Sequence, residues 1–338
     1  MKAYSLHAVG QIMYEDVPIP TCRPNWCIVK VMAAGICSSD IPRIFTKGTY
    51  HFPTIPGHEF SGVVDRVGDQ KDMSLIGKRV GVFPLIPCRT CQSCIEHRYE
   101  TCENYDYLGS RRDGGFAEYV AVPTWNLIEI ADQVSFIDAA MMEPLAVSLH
   151  AVKKLNIKAS DNVAIVGTGM IAFAAAQWAV KFGAASVTVL GRNEGKSTIA
   201  HTIGNIDYAV YGDGSKQYDA VIEAVGSNDA IESAINSTSS GGRIVLMGNP
   251  AGNITLRQDT YWRILRKQLV VKGTWNSSYE KDLQCDWSEV AEALAKKSIN
   301  VSSLVSHVFS QQEVEKGLHM MREHTEQYCK VMTIWNGE

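Results

Sequence analysis

Short apolar runs broken by glycine and proline dominate roughly the first 130 residues of the chain. They include CIVKVMAAG, SGVVDRVG and KRVGVFP. Such runs are typical of β-strands, and no long helical period accompanies them. From about residue 160 the pattern changes to NVAIVG, MIAFAAAQWAVKFGA and SVTVLG. The first and third of these segments predict buried strands and the second predicts a helix, so a β-rich region is followed by a βαβ unit.

Further apolar runs extend the predicted sheet. Strands are expected at YDAVIEAVG, GGRIVLMG and LVVKGTW, with a helix at NDAIESAIN. Alternation of strands and helices favours a parallel sheet covered by helices. After residue 275 the segments WSEVAEALAKKS, VSHVFS, VEKGLHMMREH and CKVMTIW predict helix, strand, helix and strand. This tail could rejoin the first domain.

Composition limits the possible partners. A length of 338 residues favours two domains. With 46% hydrophobic residues, 20% charged residues and a formal net charge of -4, the chain has no basic excess for nucleic acid or an anionic membrane. The N-terminus lacks the apolar core of a signal peptide, and no apolar run approaches the roughly 18 residues of a membrane span. We therefore expect a cytoplasmic protein that binds neither nucleic acid nor a membrane.

Four of the nine cysteines form a cluster in PLIPCRTCQSCIEHRYETC. Cys88, Cys91, Cys94 and Cys102 have C-x2-C-x2-C-x7-C spacing. Four thiolates at such intervals can surround a tetrahedral zinc ion, and a closed sulfur shell leaves no position for substrate. An iron–sulfur cluster is the competing interpretation, but nothing else in the chain indicates one-electron chemistry. The spacing therefore predicts a structural zinc site.

A second set of candidate metal ligands is spread along the chain. AAGICSSDIPRIF supplies Cys37, PTIPGHEFSGVV supplies His58 and Glu59, and MMEPLAVSLHAV supplies Glu143. A thiolate, an imidazole and a carboxylate form a workable catalytic zinc site, because three protein ligands leave one position open. Each residue also has an ordinary structural explanation: a small core cysteine, a hydrogen-bonded turn histidine and a carboxylate at a helix start.

A glycine-rich turn follows the predicted strand NVAIVG. Gly167, Gly169 and Ala172 match G-x-G-x-x-A, and Met170 and Ile171 begin the next helix. The glycines permit close backbone approach, and the helix N-terminus offers N–H groups to a pyrophosphate. Within a βαβ unit the pattern predicts a dinucleotide site.

The end of the second strand of that unit bears on the choice between NAD and NADP. SVTVLGRNEGK places Gly191 and Arg192 where an acidic residue would bind the ribose 2′-hydroxyl of NAD. Without a carboxylate, and with an arginine able to pair with a 2′-phosphate, the sequence favours NADP, although NAD stays possible. The alternative is a solvated surface arginine.

With these three motifs, the chain resembles the zinc-dependent medium-chain dehydrogenases, the alcohol and polyol dehydrogenase superfamily. The segments SSDIPRIFTKG, FPTIPGHEFSG, YDYLGSRRDGGFAEY and RILRKQLVVKGTW are most similar to the branch that converts galactitol 1-phosphate to tagatose 6-phosphate. The resemblance implies an α/β fold in which a doubly wound Rossmann domain is inserted into a GroES-like, β-rich catalytic domain. It implies boundaries at 1–143, with a zinc lobe near 84–106, at 144–275 and at 276–338.

The resemblance also implies roles. Cys37, His58 and Glu143 match the catalytic zinc ligands of the superfamily, and Glu59 matches a glutamate that can replace another ligand. Ser39 occupies the position of a proton-relay hydroxyl. The clustered cysteines match the structural zinc lobe, which gives two zinc ions per chain. A homodimer or homotetramer joined through the edge strands of the nucleotide domains is also implied.

The resemblance gives two different indications of the cofactor. The polyol-phosphate branch typically carries an aspartate where this chain has Gly191. The sequence Gly191, Arg192 and Asn193 is instead similar to the NADP-using ketose reductases of the superfamily.

The implied activity is hydride transfer between a polyol phosphate and a nicotinamide cofactor. Candidate cations for a substrate phosphate are Arg43, Lys47, Arg111 and Arg112, although an arginine beside Asp113 can equally form surface ion pairs. Alternative substrates are a free polyol such as sorbitol, a pentitol phosphate, or a small diol or amino alcohol. A non-catalytic nucleotide-binding protein is an alternative of another class.

Overall fold

The computed structural model describes residues 1–212 and 216–337. The chain divides into two compact units. The first comprises Met1–Glu143, Ser278–Val301 and Val305–Glu338, and the second comprises Pro144–Ser277 and Ser302–Leu304. The second unit is thus continuous to Ser277 and takes three further residues from the tail.

The strands, in chain order, are β1 (Lys2–Ala8), β2 (Gln11–Asp16), β3 (Trp26–Ile36), β4 (Glu59–Val67), β5 (Arg79–Val82), β6 (Leu85–Ile86), β7 (Asp106–Tyr107), β8 (Tyr119–Pro123), β9 (Leu127–Glu129), β10 (Asn162–Val166), β11 (Ser186–Gly191), β12 (Asp207–Val210), β13 (Tyr218–Glu223), β14 (Thr238–Leu246), β15 (Val270–Gly273), β16 (Val305–Ser310) and β17 (Lys330–Ile334).

The α-helices are α1 (Asp40–Pro42), α2 (Gln92–Ile95), α3 (Phe136–Ala140), α4 (Met142–Leu155), α5 (Met170–Lys181), α6 (Ser197–Ile203), α7 (Asn228–Ser237), α8 (Gln258–Arg266), α9 (Asp286–Ala295) and α10 (Val314–Glu323). Helix α1 continues into a π-helical turn at Arg43–Lys47. Among the described residues, none of these helices combines the length and apolarity needed to cross a bilayer.

A seven-stranded sheet organises the first unit. Its order is β16-β17-β3-β4-β5-β9, and β8 also pairs with β3. Strand β17 runs antiparallel to β3, with Met332 opposite Gly35. The tail of the chain therefore completes the sheet begun near the N-terminus. Phe60, Val331 and Trp335 lie in the apolar core that this arrangement buries.

The second unit is built on six parallel strands in the order β12-β11-β10-β13-β14-β15. This is the doubly wound order of Rossmann folds, in which ligands bind at the carboxyl edge where the strand order reverses. The reversal lies between β10 and β13. Almost every residue of β10 is buried, as a strand with helices on both faces requires. The predicted fold class, a Rossmann sheet together with a separate β-rich domain, is confirmed.

The elements predicted from the sequence do not include the β1–β2 hairpin or helix α8. The helix start indicated at Glu143 corresponds to helix α4. Helix α4 contains Pro144 within its first turn, where proline is tolerated because that N–H has no partner in the helix. Since α4 begins at Met142, Glu143 lies in the first helical turn.

Candidate active site and metal centres

Cys37, His58 and Glu59 converge in the first unit, at one end of strands β3 and β4. Cys37 directly follows β3, and Glu59 begins β4 opposite Gly35. Each residue presents one ligand atom, and these atoms all lie within 4.8 Å of one another. His58 and Glu59 are almost fully buried. Antiparallel pairing therefore brings together a thiol, an imidazole and a carboxylate that are separated in the sequence.

Glu143 lies nearby but outside this set of three. Its Oε1 accepts a hydrogen bond from the Tyr107 hydroxyl at 3.2 Å. Burial raises the pKa of Glu143 to about 7, although the charges of His58 and Lys330 oppose the rise, and the negative charge of Glu59 adds to it. A carboxyl group with this pKa exchanges its proton near neutrality and can become a metal ligand in doing so.

A buried aspartate supports the imidazole. His58 Nδ1 lies 3.3 Å from Asp40 Oδ1, and Asp40 also accepts hydrogen bonds from Cys37 N at 3.0 Å and from Arg43 at 2.8 Å. Burial opposes ionisation of Asp40, but His58 and Arg43 outweigh it and lower the pKa of the carboxyl. Burial likewise opposes protonation of His58, yet Asp40 and Cys37 raise the pKa of that imidazole well above its usual value.

A buried lysine completes the site. Lys330, the first residue of β17, donates to Glu59 Oε2 and to the carbonyl of Ile36, the latter at 3.1 Å. Burial opposes its charge, but Glu59 and Cys37 raise the pKa of Lys330 above its usual value. Sequence reasoning missed this residue because 271 positions separate it from Glu59. It missed Asp40 as well, although an aspartate three residues after Cys37 was a local signal.

Ser39 is directed at the metal-ligand candidates. Its hydroxyl donates to Cys37 Sγ at 3.3 Å, and its backbone N–H lies 3.5 Å from the same sulfur. Two hydrogen-bond donors of Ser39 therefore point at the Cys37 sulfur. The proton-relay role of Ser39 remains a prediction.

The clustered cysteines form a compact four-sulfur site. The Sγ atoms of Cys88 and Cys94 are 3.9 Å apart, as are those of Cys91 and Cys102. Tetrahedral zinc with bonds of roughly 2.3 Å needs sulfurs roughly 3.8 Å apart. The Thr90 hydroxyl and neighbouring backbone N–H groups lower the pKa of Cys88 to about 5. The sulfur–sulfur distances and the lowered pKa of Cys88 fit a structural zinc ion.

The glycine-rich turn lies at the carboxyl end of β10, in the second unit. Gly167 has φ +127°, which favours glycine, and a Cβ there would lie 2.9 Å from a methyl of Val225. A Cβ on Gly169 would meet nothing within 4 Å, so the turn faces open space there. Met170 and Ile171 begin α5, whose first N–H groups have no partner within the helix. The turn can therefore receive a pyrophosphate.

The predicted ribose-binding position lies beside that turn. Gly191 ends β11 and Arg192 is exposed. Lys196 reaches back to donate to the carbonyl of Thr168 at 3.2 Å. Two cations thus follow the buried glycine.

The four candidate phosphate-binding cations differ in their surroundings. Arg43 is paired with buried Asp40, and Arg112 is paired with Asp106. Lys47 ends the π-helical turn. Arg111 lies over two aromatic rings, 4.3 Å from the Tyr50 centroid and 4.4 Å from the Tyr105 centroid. We call Tyr50, Arg111 and Tyr105 the Arg111 clamp.

The chain matches two family models, and their matched regions cover most of it. The first, described as alcohol dehydrogenase GroES-like domain, matches residues 23–132, and the second, described as zinc-binding dehydrogenase, matches residues 170–296. Among curated proteins, the chain is 33% identical to galactitol 1-phosphate 5-dehydrogenase of Escherichia coli K12 over 294 residues, covering 82% of this chain and 84% of that protein. It is 26% identical to sorbitol dehydrogenase of Bacillus subtilis over 355 residues, covering 99% and 98%.

Solved structures give the same picture. Galactitol-1-phosphate dehydrogenase from Escherichia coli superposes with a TM-score of 0.90 at 30% identity, covering 99% of this chain and 100% of that one. A protein of Sinorhizobium meliloti 1021 described as a zinc-binding dehydrogenase, bound to NADP, superposes with a TM-score of 0.89 at 29% identity, covering 98% of each.

Proposed function

This chain belongs to the zinc-dependent medium-chain dehydrogenases, and we propose that it transfers hydride between a polyol phosphate and NADP. Membership makes it a zinc-dependent, nicotinamide-linked alcohol or polyol dehydrogenase. The phosphorylated substrate and the preference for NADP go beyond membership. They rest on the residues around the two candidate binding regions.

The charges of the first-unit site fit a divalent cation. The Cys37 thiolate, Glu59 and Glu143 supply three negative charges when ionised, and Lys330 returns one positive charge. The remaining two negative charges would be neutralised by one zinc ion. Asp40 and Arg43 balance each other beside the site. Zinc held by this set would supply Lewis acidity that lowers the pKa of a substrate hydroxyl.

The residues of this chain would divide the remaining tasks. Asp40 Oδ1 lies 3.3 Å from His58 Nδ1 and would orient the ring so that the opposite ring nitrogen binds the metal. Ser39 donates to Cys37 Sγ and would receive the proton of the substrate hydroxyl. Glu143 accepts a hydrogen bond from the Tyr107 hydroxyl, and the Tyr107 ring contacts His58.

The Arg111 clamp carries the proposal of a phosphorylated substrate. Arg111 donates to the Tyr105 carbonyl at 2.8 Å and to the Tyr50 hydroxyl at 3.3 Å, so the guanidinium is held in place before substrate binds. Ring contacts lead from the clamp to the metal ligands. Tyr105 contacts Tyr107 with centroids 6.1 Å apart, and Tyr107 contacts His58 at 5.7 Å. A preorganised planar cation that these ring contacts link to the candidate metal ligands would suit a substrate phosphate.

The preference for NADP is supported by the residues after β11. Gly191 brings no carboxylate to repel a 2′-phosphate, and Arg192 and Lys196 follow it. Arginine pairs well with phosphate oxygens. Nicotinamide would accept the hydride in polyol oxidation and return it in ketose reduction.

A free polyol is the second candidate substrate. Similarity to sorbitol dehydrogenase over nearly the whole of both chains favours it. The two candidates differ in whether the Arg111 clamp contributes to catalysis.

We also propose a homodimer formed through β15. This strand lies at the edge of the six-stranded sheet, and all four of its residues are exposed, including Val270 and Val271. Apolar edge strands invite pairing with another strand. Tyr261 and Leu265 of α8 add exposed apolar surface in the same unit.

Replacement of one proposed ligand tests the metal-dependent chemistry. C37S should lose turnover with every polyol and polyol phosphate, whereas its affinity for NADP, measured by isothermal titration calorimetry, should stay close to that of the wild type. Retained turnover would reject the assignment of Cys37. A panel of polyols and their phosphates with both NAD and NADP identifies the substrate and cofactor.

A further inference from the structure

Glycine is required at position 191 because neighbouring side chains leave no room for a Cβ, and not because of its backbone conformation. A Cβ built on Gly191 would lie 1.8 Å from the Tyr208 hydroxyl oxygen and 2.6 Å from Tyr208 Cζ. It would also lie 2.9 Å from a methyl of Thr168. Gly191 is buried, and its φ is outside the left-handed region. Any side chain at this position would therefore need Tyr208 to move.

Tyr208 is held where it is by its strand and by a hydrogen bond. It lies on β12, which runs parallel to β11, with Val189 opposite Tyr208 and Val210 opposite Gly191. Its hydroxyl donates to the carbonyl of Asn193, two residues beyond Gly191. Burial, helped by the charge of Glu194, raises the pKa of the phenol, so it stays a neutral donor.

The loop after β11 is shaped around this contact. The Asn193 side chain accepts a hydrogen bond from Gly195 N at 3.0 Å and begins a short 3₁₀ turn at Glu194–Lys196. Lys196 then returns to the Thr168 carbonyl in the glycine-rich turn. By holding the Asn193 carbonyl, Tyr208 fixes the backbone between Arg192 and Lys196.

We infer that Tyr208 is a specificity-determining residue for the cofactor: its hydroxyl occupies the volume that a carboxylate at position 191 would need, and it holds the loop that presents Arg192 and Lys196 to a 2′-phosphate. The inference rests on the proposed NADP-linked function. Gly191 and Tyr208 act as a pair in this function. An aspartate at position 191 can bind a ribose 2′-hydroxyl only after the phenol has been removed.

Binding of cofactor fragments tests the pair without any turnover. The affinities of 2′,5′-ADP and 5′-AMP, which differ by the 2′-phosphate, are measured by calorimetry for the wild type, G191D, Y208A and G191D/Y208A. The wild type should bind 2′,5′-ADP at least about tenfold more tightly than 5′-AMP, a difference of about 1.4 kcal/mol. G191D should lose affinity for 2′,5′-ADP without gaining affinity for 5′-AMP. Only G191D/Y208A should prefer 5′-AMP.

The possible outcomes distinguish an error in the pairing of Gly191 with Tyr208 from an error in the proposed NADP-linked function. If G191D alone gains affinity for 5′-AMP as much as the double variant does, the pairing with Tyr208 is wrong while NADP binding stands. If the wild type prefers 5′-AMP, or binds neither fragment, the proposed NADP function itself is wrong. Y119F, a change to a tyrosine on β8 of the first unit, should bind both fragments as the wild type does.

A stability cycle covers the case in which G191D does not fold. G191A introduces only the Cβ, and the free energy of unfolding in urea is compared for the wild type, G191A, Y208A and G191A/Y208A. The alanine should destabilise the wild type and cost clearly less in the Y208A background, because the atom it would meet is gone. Equal costs in the two backgrounds would overturn the inference.

Discussion

Lys330 and Glu59 form an ion pair in the first-unit site, and both side chains are almost fully buried. The two residues are 271 positions apart in the chain. Lys330 lies on β17, the last strand of the chain, and Glu59 lies on β4. The pair explains why the tail must rejoin the first domain for the site to form. In the proposed site Lys330 would also provide the cation that reduces three potential negative charges to two, the number that one zinc ion would neutralise.

Loss of the lysine should therefore be costly. K330M leaves the Glu59 carboxylate buried without its cation and should lower the free energy of unfolding of the metal-free protein by about 3–5 kcal/mol. E59Q/K330M should recover most of that loss, because no uncompensated charge remains. Urea unfolding of the wild type, E59Q, K330M and E59Q/K330M measures the coupling energy between the two side chains. A K330M protein as stable as the wild type would contradict this interpretation.

The four-cysteine site should hold zinc independently of the catalytic site. C94S removes one of four sulfurs, so zinc content measured by mass spectrometry should fall from two ions to one per chain, with a lower melting temperature. Cys22 belongs to neither metal-ligand set. C22S should keep both ions, and loss of both in C94S would argue against separate sites.

Glu143 should make the stability of the metal-free protein depend on pH. Burial raises the pKa of this carboxyl from 4.5 to about 7, so between these values the folded state binds more protons than the unfolded state. The free energy of unfolding therefore falls as pH rises through this range. E143Q lacks this contribution, and the wild type should lose about 2 kcal/mol more than E143Q between pH 5 and pH 8. Parallel pH profiles would show that Glu143 is ionised throughout.

Much of this architecture could be predicted from the sequence because its signals are local. The apolar runs of β10, β11 and β13 mark buried parallel strands, and the spacing of Cys88, Cys91, Cys94 and Cys102 predicts their close approach. The order of strands, and the pairing of β17 with β3, could not be read from such runs. Long-range pairing depends on the whole sheet rather than on any segment.

The roles of several site residues likewise could not be predicted from local sequence. Lys330 carries no motif of its own, and Asp40 is marked only by its position three residues after Cys37. The roles of both come from burial beside His58 and Glu59. Of the two arginines in SRRDGG, the sequence could not tell which forms an ion pair. Arg112 pairs with Asp106, whereas Arg111 lies between two rings. That distinction depends on side-chain surroundings alone.

This difference between the arginines gives a matched pair of variants. R111M removes the cation of the Arg111 clamp and should lower kcat/KM for galactitol 1-phosphate by about 10- to 100-fold, the range of a charge-assisted hydrogen bond. Its kcat/KM for galactitol should change little. R112M removes a neighbouring arginine that is already paired with Asp106 and should leave both values close to those of the wild type. Equal effects of the two changes would place the phosphate elsewhere.

The comparison of kcat/KM for galactitol 1-phosphate and for galactitol, with NADP as the oxidant and wild-type protein containing zinc, tests the central claim most directly. The phosphate ester should be preferred by at least about 10-fold, because a preorganised arginine stabilises its transition state and has no partner on the free polyol. An equal or higher kcat/KM for galactitol would contradict the proposal and favour a free polyol as the substrate.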